Sequence, residues 1–465
     1  MLLEEIMYKI NFESPIHVHF IGIGGISMSG LAEILLKEGF PISGSDAKKS
    51  ELTEKLESLG ARIYYGQRAS NLDNIPDLVV YTAAIHPDNP EYNRALELKL
   101  PMLSRAELLG QMMRNYRTAI AVSGTHGKTT TTSMISQILL AAEKDPTISV
   151  GGILKSIGGN IRVGNSDTFI TEACEYTNSF LHFYPTISLI LNIEADHLDF
   201  FKDIEDIRSS FREFAKRLPS DGTLIINGEI ERFGEITDGL DCQVITYGSN
   251  ADCTYSYRNV SFDELAHGSF DLYKNGVFQS RMQLMVPGIH NVSNALAAIA
   301  LAESLQIPLA IVQQGLLSFS GTDRRFEYKG EVAGVTILDD YAHHPTEIAA
   351  TLSAARNYPH NRIWCVFQPH TYTRTQAFLK EFAQALSAAD YVVLADIYAA
   401  REKNTIGISS SDLLSELRTL NVNAHYFPSF DEIENFLLEN CIHGDLLITM
   451  GAGDVYRIGE HLLGQ

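Results

Sequence analysis

The 465-residue sequence is poor in basic side chains. Lys and Arg together number 36 against 57 Asp and Glu, which gives a formal net charge of −21. A broad nucleic-acid surface or a docking site for anionic lipid needs an excess of positive charge, so the sequence predicts neither partner. A small anion such as a nucleotide is compatible with this balance, because a few local cations and backbone N–H groups can hold it.

The sequence also lacks a disulfide framework and a long apolar run. Its five cysteines form no CxxC pair and are odd in number, which favours a reducing compartment. The first residues, MLLEEIMYKINFE, contain acids and lack the basic start and apolar block of a signal peptide. The most apolar long stretch, Asn294–Leu317, is interrupted by Glu303 and Pro308 and is too polar to span a bilayer. We therefore expect a soluble cytoplasmic protein without a membrane partner; its oligomeric state is open.

Length and composition indicate an ordinary globular protein of roughly three domains. In the first part of the chain, strands and helices alternate, which predicts a parallel sheet with right-handed crossovers in a Rossmann-like layout. The predicted strands are His17–Ile21, Pro41–Ser45 and Leu78–Thr82, and the predicted helices are Ser27–Lys37 and Leu52–Leu59.

A second set of buried strands and helices begins at Thr118. The predicted strands are Thr118–Val122, Thr168–Thr171, Ile187–Asn192, Thr223–Asn227 and Cys242–Tyr247, and the predicted helices are Thr130–Ala142 and Asn291–Leu305. Between them, short alternating segments predict antiparallel hairpins. These segments are Thr254–Tyr257, Ser269–Tyr273 and Arg281–Met285.

A third set begins near Gly321. Its predicted strands are Val335–Leu338, Arg362–Phe367, Tyr391–Ala395 and Leu446–Met450, and its predicted helices are Pro345–Arg356, Thr375–Ser387 and Phe430–Leu438. The predicted fold class is therefore α/β in three domains, with residues 1–115, 116–320 and 321–465 as their bounds. The central domain is expected to combine a parallel sheet with a small antiparallel one.

The segment SGTHGKTT, residues 123–130, lies between a predicted strand and a predicted helix, where a phosphate loop must lie. Its glycines let backbone N–H groups curl around phosphate oxygens, and the helix N-terminus adds a partial positive charge. Val122 stands where the common Walker pattern has glycine, so the loop is a shorter G-x-x-G-K-T form. A chance Gly-Lys-Thr turn is the alternative, but the strand and helix on either side favour nucleotide binding. The candidate residues are Gly124, Thr125, His126, Gly127, Lys128, Thr129 and Thr130.

A second glycine loop, Gly22–Met28, also follows a strand and begins a helix. About 20 residues further on, Asp46 ends the next strand, where an acid can bind a ribose hydroxyl. The alternative is a tight strand–helix turn without a ligand. The loop suggests a second nucleotide-like ligand, and its candidate residues are Gly22, Gly24, Gly25, Ser27 and Asp46.

Acids and a histidine follow strands of the central region. Glu172 and Glu175 end one strand, and His197 lies in the segment after another. Because ligands of parallel sheets bind at the carboxyl ends of strands, a carboxylate there near Thr129 would suit Mg²⁺, which prefers oxygen ligands. A histidine is less usual for Mg²⁺, so His197 alone reads more simply as a residue that hydrogen-bonds within its loop.

Further polar clusters precede helices or follow strands. His290, Asn291 and Asn294 open the Ala-rich helix, where asparagines either cap the helix or contact a base. The adjacent Arg324 and Arg325 at the second domain border read by default as a solvated pair, although one of them could reach phosphates on domain closure. Asp340, Tyr341, His343, His370 and Arg374 follow strands of the third region; the neighbouring histidines suggest zinc only weakly.

These motifs resemble, in order and over nearly the whole chain, the Mur ligases of peptidoglycan synthesis. The matching segments are GIGGISM, SGTHGKTTTT, EACEYTNSFL, NIEADHLDFF, GIHNVSNALAA, GTDRRFE, DDYAHHPTE, QPHTYTRT and MGAGD. The resemblance implies an N-terminal Rossmann-like domain for a UDP-sugar, a central ATPase domain and a C-terminal domain for an amino acid. It further implies ATP with Mg²⁺, and UDP-N-acetylmuramate and L-alanine as substrates joined through an acyl phosphate.

The resemblance also implies roles for individual residues. Lys128, Glu172, His197 and Arg325 are the implied catalytic residues, and Thr129, Glu172 and His197 the implied metal ligands. Asn291 and Asn294, with His290 beside them, would lie on the adenine side, and Arg325 and Asp340 would hold ATP from the third domain. The first glycine loop, Asp46, His370 and Arg374 would contact the UDP-sugar, and Tyr341 and His343 would lie near the amino acid.

Two departures and three alternatives accompany the resemblance. Thr371 replaces an arginine that many relatives carry. Several sister ligases use a carbamylated lysine in the region that corresponds to Ser210–Glu213; this region holds no lysine, so we expect no carbamylated lysine here.

The nearest alternative is the recycling ligase that adds a tripeptide to the same sugar, whose first loop reads more like GICGTFM. A Rossmann oxidoreductase would leave Lys128 unexplained, and a P-loop switch would not need the third region.

Overall fold

The computed structural model describes residues 9–82, 85–86, 88–400 and 402–465, and over these ranges the strands form three sheets. The first sheet is parallel throughout, in the order β3-β2-β1-β4-β5. Its strands are β1 (Val18–Ile21), β2 (Ile42–Asp46), β3 (Arg62–Tyr65), β4 (Leu78–Tyr81) and β5 (Met102–Ser104). Its helices are α1 (Ile26–Lys37), α2 (Glu51–Ser58), α3 (Pro90–Glu97) and α4 (Arg105–Met113). The predicted alternation of strands and helices is confirmed. From β1 the chain continues to β2 and β3 on one side and then to β4 and β5 on the other, and this reversal of strand order leaves a crevice at the carboxyl ends of β1 and β4.

The second sheet runs in the order β15-β14-β13-β12-β11-β10-β6-β9-β7-β8 over the described residues. Its first six strands in chain order are β6 (Thr118–Ser123), β7 (Thr147–Leu154), β8 (Gly159–Arg162), β9 (Thr168–Ala173), β10 (Ile187–Ile190) and β11 (Thr223–Asn227). The remaining four are β12 (Gln243–Gly248), β13 (Tyr255–Phe262), β14 (His267–Lys274) and β15 (Val277–Pro287). The helices are α5 (Lys128–Ala141), α6 (Ile204–Ala215), α7 (Phe233–Thr237), α8 (Ile289–Ser304) and α9 (Leu309–Ser318).

The predicted hairpins are antiparallel strands, but they extend the edge of the parallel sheet. β13 pairs with β12 in parallel only at Tyr247–Tyr255 and Gly248–Ser256, and β14 and β15 follow as an antiparallel meander. The Ala-rich helix α8 is buried along most of its length beneath this sheet. Its first turn therefore lies next to the phosphate loop that precedes α5.

The third sheet has the order β16-β17-β21-β18-β19-β20, with β16 antiparallel and the rest parallel. Its strands are β16 (Glu327–Val332), β17 (Val335–Asp340), β18 (Ile363–Phe367), β19 (Tyr391–Leu394), β20 (Asn423–Tyr426) and β21 (Leu446–Met450). Its helices are α10 (Pro345–Ala355), α11 (Tyr372–Ala377), α12 (Leu379–Leu386), α13 (Ser410–Thr419), α14 (Phe430–Asn440) and α15 (Tyr456–Leu462). The central strands β18 and β21 are buried at every position, as strands covered on both faces must be.

The prediction of one helix over Thr375–Ser387 is wrong. The segment forms two helices that meet at Phe378, whose φ of −118° and ψ of 26° are not helical. The Phe378 ring packs against His344 and Phe382, at centroid distances of 4.9 and 6.4 Å. These tertiary contacts outweigh the continuous helical pattern of the sequence.

The second region contacts both the first and the third. Lys37 of α1 donates to the carbonyls of Val163 and Gly164, and one hydrophobic cluster contains side chains of both the first and the second sheet regions. Arg374 of the third region forms an ion pair with Asp196 of the second, at 3.0 Å. Within the described part of the chain, no helix is long and apolar enough to cross a membrane.

Candidate functional site

The phosphate loop joins β6 to α5, as the sequence predicts. Gly127 adopts a φ of +81° just before the helix, and a Cβ there would lie 2.7 Å from Asn294 Oδ1. Only glycine fits this left-handed, crowded position. Gly127 and Thr130 share a cavity with Asn294 of α8, so an anion there would lie at the N-terminus of α5 and be stabilised by it.

Lys128 is folded back on its own loop. Its Nζ donates to the carbonyls of Gly124 and Thr125 and forms an ion pair with Glu175 at 3.0 Å. Burial would lower the pKa of Lys128, but the nearby Glu175 carboxylate raises it above its usual range. The lysine is therefore charged. A bound phosphate can replace the two carbonyls and the Glu175 carboxylate as its hydrogen-bond acceptor. The sequence offered Glu175 only as a second acid near Glu172; the structure makes it the partner of Lys128.

Thr129 and Glu172 form an oxygen-rich pair beside the loop. The Thr129 hydroxyl donates to Glu172 Oε2 at 3.1 Å, and the Gly151 N–H donates to Glu172 Oε1. A Cβ at Gly151 would lie 2.9 Å from Glu172 Oε2, so the glycine leaves room for the carboxylate. A hydroxyl and a carboxylate next to a phosphate loop are the donors that suit Mg²⁺.

His197 stands apart from that pair. It has a φ of +53°, its ring stacks on Tyr176 at 4.4 Å, and its Nε2 lies 3.9 Å from Glu175 and 3.8 Å from Asp196. Burial lowers its pKa, so a neutral imidazole nitrogen is available as a ligand or hydrogen-bond acceptor. The structure thus joins Thr129 directly to Glu172, whereas His197 approaches Glu175, the partner of Lys128.

A cavity of about 240 Å³ lies between the phosphate loop, the start of α8 and the third domain. Eight of the predicted residues line it: His126, Gly127, Thr130, His290, Asn291, Asn294, Arg325 and Asp340. Asn294 Nδ2 donates to Asn291 Oδ1 at 3.0 Å, and Asn291 Nδ2 donates to the Pro287 carbonyl. His290 Nδ1 has no hydrogen-bond partner in the described part of the chain, and burial lowers the pKa of His290 to about 4. This neutral nitrogen and the asparagine pair give the cavity a polar wall for a heterocyclic base.

Arg325 enters the same cavity from the junction before β16. Asp340, at the end of β17, accepts the N–H groups of Phe326 and Ala342 and so fixes the backbone on either side. Burial raises the pKa of Asp340 to about 6, against the opposing charge of Arg325. The Arg325 guanidinium lies over the Tyr341 ring, 5.2 Å from its centroid.

The interpretation of Arg324 and Arg325 as a solvated pair is wrong. Arg324 donates to Asp339 at 2.9 Å and to the carbonyls of Gly451 and Gly453. It thereby ties the junction to β17 and to the segment after β21. Only Arg325 is directed at the cavity, so the two arginines have different tasks.

A second cavity, of about 230 Å³, lies where the second and third domains meet. Its wall includes Asp196, His197, His370 and Arg374. Arg374 donates to Asp196 and to His370 Nδ1, the latter at 3.1 Å, and the His370 ring contacts that of His343 at 5.6 Å. His343 Nδ1 in turn lies 2.9 Å from the Tyr341 carbonyl. Four predicted substrate residues are therefore linked in one chain: Tyr341, His343, His370 and Arg374.

The first glycine loop is held by backbone and carboxylate contacts. The N–H groups of Gly22 and Ile23 donate to the Ser45 carbonyl, and the Gly24 N–H donates to Asp46 Oδ2 at 2.8 Å. Gly25 and Ser27 are exposed at the tip of the loop. Asp46, predicted as a ribose ligand, thus holds the loop itself, and its Oδ1 also accepts the Ala47 N–H.

Three acids of the site were not singled out by the sequence. Glu194 and Glu347 both contact His126, and Asp196 contacts Arg374. In each pair the two residues belong to segments far apart in the chain. Glu194 and Asp196 stood in the quoted NIEADH segment without a role. Glu347 likewise stood in the quoted DDYAHHPTE segment without a role; it lies in the first turn of α10, where the helix dipole favours an acid.

Comparison with known proteins agrees with this architecture. Three family models match consecutive parts of the chain: Mur ligase family, catalytic domain over residues 17–117; Mur ligase middle domain over 122–302; and Mur ligase, glutamate ligase domain over 324–453. The UDP-N-acetylmuramate–L-alanine ligase of Agathobacter rectalis is 64% identical over 98% of this chain and 100% of its own length. The enzyme of that name from Lachnospira eligens is 60% identical over the same shares.

Solved structures show the same likeness. The UDP-N-acetylmuramate–alanine ligase MurC of Thermotoga maritima superposes with a TM-score of 0.78 at 31% identity, covering 97% of this chain and 98% of that one. The murein peptide ligase Mpl of Psychrobacter arcticus gives a TM-score of 0.69 at 26% identity, with the same coverage. Fold, motif order and full-length identity agree, and the chain belongs to the Mur ligase family.

Proposed function

We propose that this protein joins L-alanine to the carboxyl group of UDP-N-acetylmuramate at the expense of ATP, the first peptide-adding step of peptidoglycan precursor synthesis. Residues 1–115 would bind the UDP-sugar, residues 116–320 ATP and residues 321–465 the amino acid. The high identity to relatives named for this reaction supports L-alanine over a tripeptide. ATP and nucleotide-linked sugars are cytoplasmic compounds, so we place the reaction in the cytoplasm.

One observation carries the nucleotide assignment: the same cavity is lined by the phosphate loop of one domain and by Arg325 of the next. A nucleotide in this cavity would have its phosphates between Lys128 and Arg325. Phosphoryl transfer requires little covalent chemistry from the protein beyond positioning and neutralising charge, and two cations on opposite sides provide both.

The first half-reaction transfers the γ-phosphoryl group of ATP to the sugar carboxylate. Oxide is a poor leaving group, so the carboxylate must become an acyl phosphate before an amine can displace it. Lys128 would leave the loop carbonyls and Glu175 for the β- and γ-phosphates. Thr129 and Glu172 would hold Mg²⁺, which when bound neutralises phosphate charge. His197, which lies beside Glu175 instead, is a third proposed ligand only because the family resemblance implies it.

The second half-reaction is attack of the alanine amine on the acyl carbon, with loss of phosphate from a tetrahedral intermediate. The chain of Tyr341, His343, His370 and Arg374 would line this side of the site. Burial lowers the pKa of both His343 and His370 to about 4, so each is a neutral imidazole. His343 Nδ1 donates to the Tyr341 carbonyl, so its Nε2 can accept a hydrogen bond from the attacking amine and orient it. Because an acyl phosphate hydrolyses in water, contacts between the second and third domains must exclude solvent.

The test is phosphate release from ATP by the purified protein, with each substrate omitted in turn. We expect release only when UDP-N-acetylmuramate and L-alanine are both present, and a tripeptide in place of alanine should give less than a tenth of that rate. Lys128→Ala should reduce the rate by about 10²–10³-fold, since it removes a charge that stabilises the transferring phosphoryl group. Equal rates with tripeptide, or release without the sugar, would contradict the proposal.

A further inference from the structure

Glu347, in the first turn of α10, contacts two residues that line the nucleotide cavity, His126 and Arg325, and a third group outside it; the function proposed above gives it no role. Its Oε1 accepts from His126 Nδ1 at 3.1 Å and lies 3.9 Å from Arg325 Nη1. Its Oε2 accepts the His343 N–H at 3.0 Å. One carboxylate of the third domain therefore connects the phosphate loop to Arg325 and to the segment on the amino-acid side.

The carboxylate lies between two cations. Burial would raise the pKa of Glu347, but contacts with His343, His126 and Arg325 hold it well below its usual range. Burial lowers the pKa of His343 to about 4, so His343 is neutral at pH 7 and its contribution to Glu347 is the backbone N–H. The positive charge that faces Glu347 thus comes from His126 and Arg325.

His126 is held charged from two sides. Its burial would lower its pKa, but Glu347 and Glu194 raise it to about 9. His126 Nε2 lies 3.5 Å from Glu194 Oε2, and the His126 and His344 rings contact each other with their centroids 4.7 Å apart. The charged imidazole therefore lies between Glu194 of its own domain and Glu347 of the next domain.

A metal ion is not needed to explain this cluster. Candidate ligand atoms of His126, Glu194 and His344 lie within 4.8 Å of one another. Both nitrogens of His344 are already engaged, Nε2 with the Ala195 carbonyl at 3.1 Å and Nδ1 with the Thr346 N–H. Thr346 also donates to Glu194 at 2.6 Å, so the start of α10 is docked on the central domain by hydrogen bonds.

We propose that Glu347 is a positioning residue for phosphoryl transfer: it aligns His126 of the phosphate loop and Arg325 of the third domain across one nucleotide cavity. A bare carboxylate beside the phosphates of ATP is electrostatically unfavourable, so its benefit must come from the cations that it orients. This role rests on the proposed ligase activity and concerns the transition state more than ATP binding, because both cations must be aligned when charge is transferred.

The experiment compares Glu347→Gln and Glu347→Asp with the wild type in steady-state ligation and in ATP binding by calorimetry. We expect Glu347→Gln to lower kcat by about tenfold or more while the Kd for ATP changes by less than about threefold. Glu347→Asp, which keeps the charge on a shorter side chain, should recover part of the loss. Arg356→Gln is the matched control, because it removes an exposed ion pair with Asp390 at the other end of α10.

A double-mutant cycle with His126→Gln separates positioning from loss of fold. If Glu347 acts through His126, the double variant is little slower than the slower single variant, whereas independent effects would multiply. If Glu347→Gln unfolds below the assay temperature, the kcat of His126→Gln still tests the proposal. An inactive wild type would reject the ligase function itself. An active wild type with unchanged kcat in Glu347→Gln and His126→Gln, or multiplied losses in the double variant, would reject the positioning role.

Discussion

At the scale of single residues, two neighbouring acids of the central domain have separate tasks. Glu172 contacts Thr129 and the Gly151 N–H, whereas Glu175 contacts Lys128 and approaches His197. Their positions in the sequence, three residues apart at a strand end, cannot distinguish them. The backbone does, because Glu172 lies within β9 whereas Glu175 lies in the turn after it, so their carboxylates point in different directions.

We expect Glu172→Gln to raise the Mg²⁺ concentration that gives half-maximal ligation several-fold, because it removes a carboxylate charge from the oxygen donors beside the phosphate loop. Glu175→Gln should leave that concentration within about twofold and instead alter the KM for ATP, because it releases Lys128. A Mg²⁺ titration and an ATP titration of both variants check this. A larger Mg²⁺ effect at Glu175 would show that the other carboxylate holds the ion.

His126 makes stability depend on pH above neutrality. Its pKa is about 9 in the folded protein against an ordinary value of 6.5, so its protonated form stabilises the fold fully below pH 6.5. That contribution, about 3 kcal/mol at most, is lost as the pH rises from about 6.5 through 9. We expect Tm to fall over this range in the wild type and to fall less in His126→Gln, as measured by thermal unfolding at each pH. Parallel curves of Tm against pH for the two proteins would show that His126 is not held charged by Glu194 and Glu347.

The buried neutral histidines act in the opposite direction. His290 and His343 have a pKa of about 4 when folded, so the unfolded chain binds protons that the folded one does not as the pH falls below 6.5. Stability is therefore lost between about pH 6.5 and 4. Together with His126, these groups place the maximum of stability near neutral pH.

At the scale of elements, the sequence predicted what local patterns determine. The phosphate loop and the predicted strands and helices on either side of it are set by glycine positions and apolar periodicity, and the structure has them within a few residues. The strands β3, β5, β7, β8, β16 and β20 were not predicted. The break at Phe378 and the role of Asp46 as a loop anchor were not predictable, because both depend on contacts with other segments. The contact between His126 and Glu347 joins residues 221 positions apart, and no local pattern reports it.

Helix α9 packs against α5, the helix that carries the phosphate loop at its N-terminus. A Cβ on Gly315 of α9 would lie 2.6 Å from the Ile138 Cα of α5, so the two backbones touch. We expect Gly315→Ala to lower Tm by about 2–10 °C, as overpacking between rigid helices does. Ligation per folded molecule should also fall, because α5 carries the loop at its N-terminus.

Gly234→Ala provides the control for that change. Gly234 lies in α7, is exposed, and a Cβ there would meet nothing within 4 Å. Alanine favours the helix and restricts the unfolded chain, so Tm should stay constant or rise slightly. Equal losses in both variants would point to a general effect of alanine rather than to the contact between α9 and α5.

At the scale of the whole molecule, the nucleotide cavity exists only where two domains meet. The first domain is attached to the second through a shared apolar cluster, whereas the second and third meet through polar contacts such as Arg374–Asp196 and Thr346–Glu194. A polar interface of this kind separates at lower cost than an apolar one, so the third domain is the part expected to move during turnover.

Arg325 tests that expectation, because it belongs to the moving side of the cavity. If it reaches the phosphates only in the closed arrangement, Arg325→Ala should lower kcat by about 10²–10³-fold while calorimetric ATP affinity changes by less than about threefold. Arg325→Lys keeps the charge but not the planar fork, so it should recover only part of the rate. Arg324→Ala should instead lower Tm, since it leaves the buried Asp339 without its cationic partner. Equal losses of kcat and ATP affinity in Arg325→Ala would mean that Arg325 already holds ATP before closure, and would reject the idea that it reaches the phosphates only in the closed arrangement.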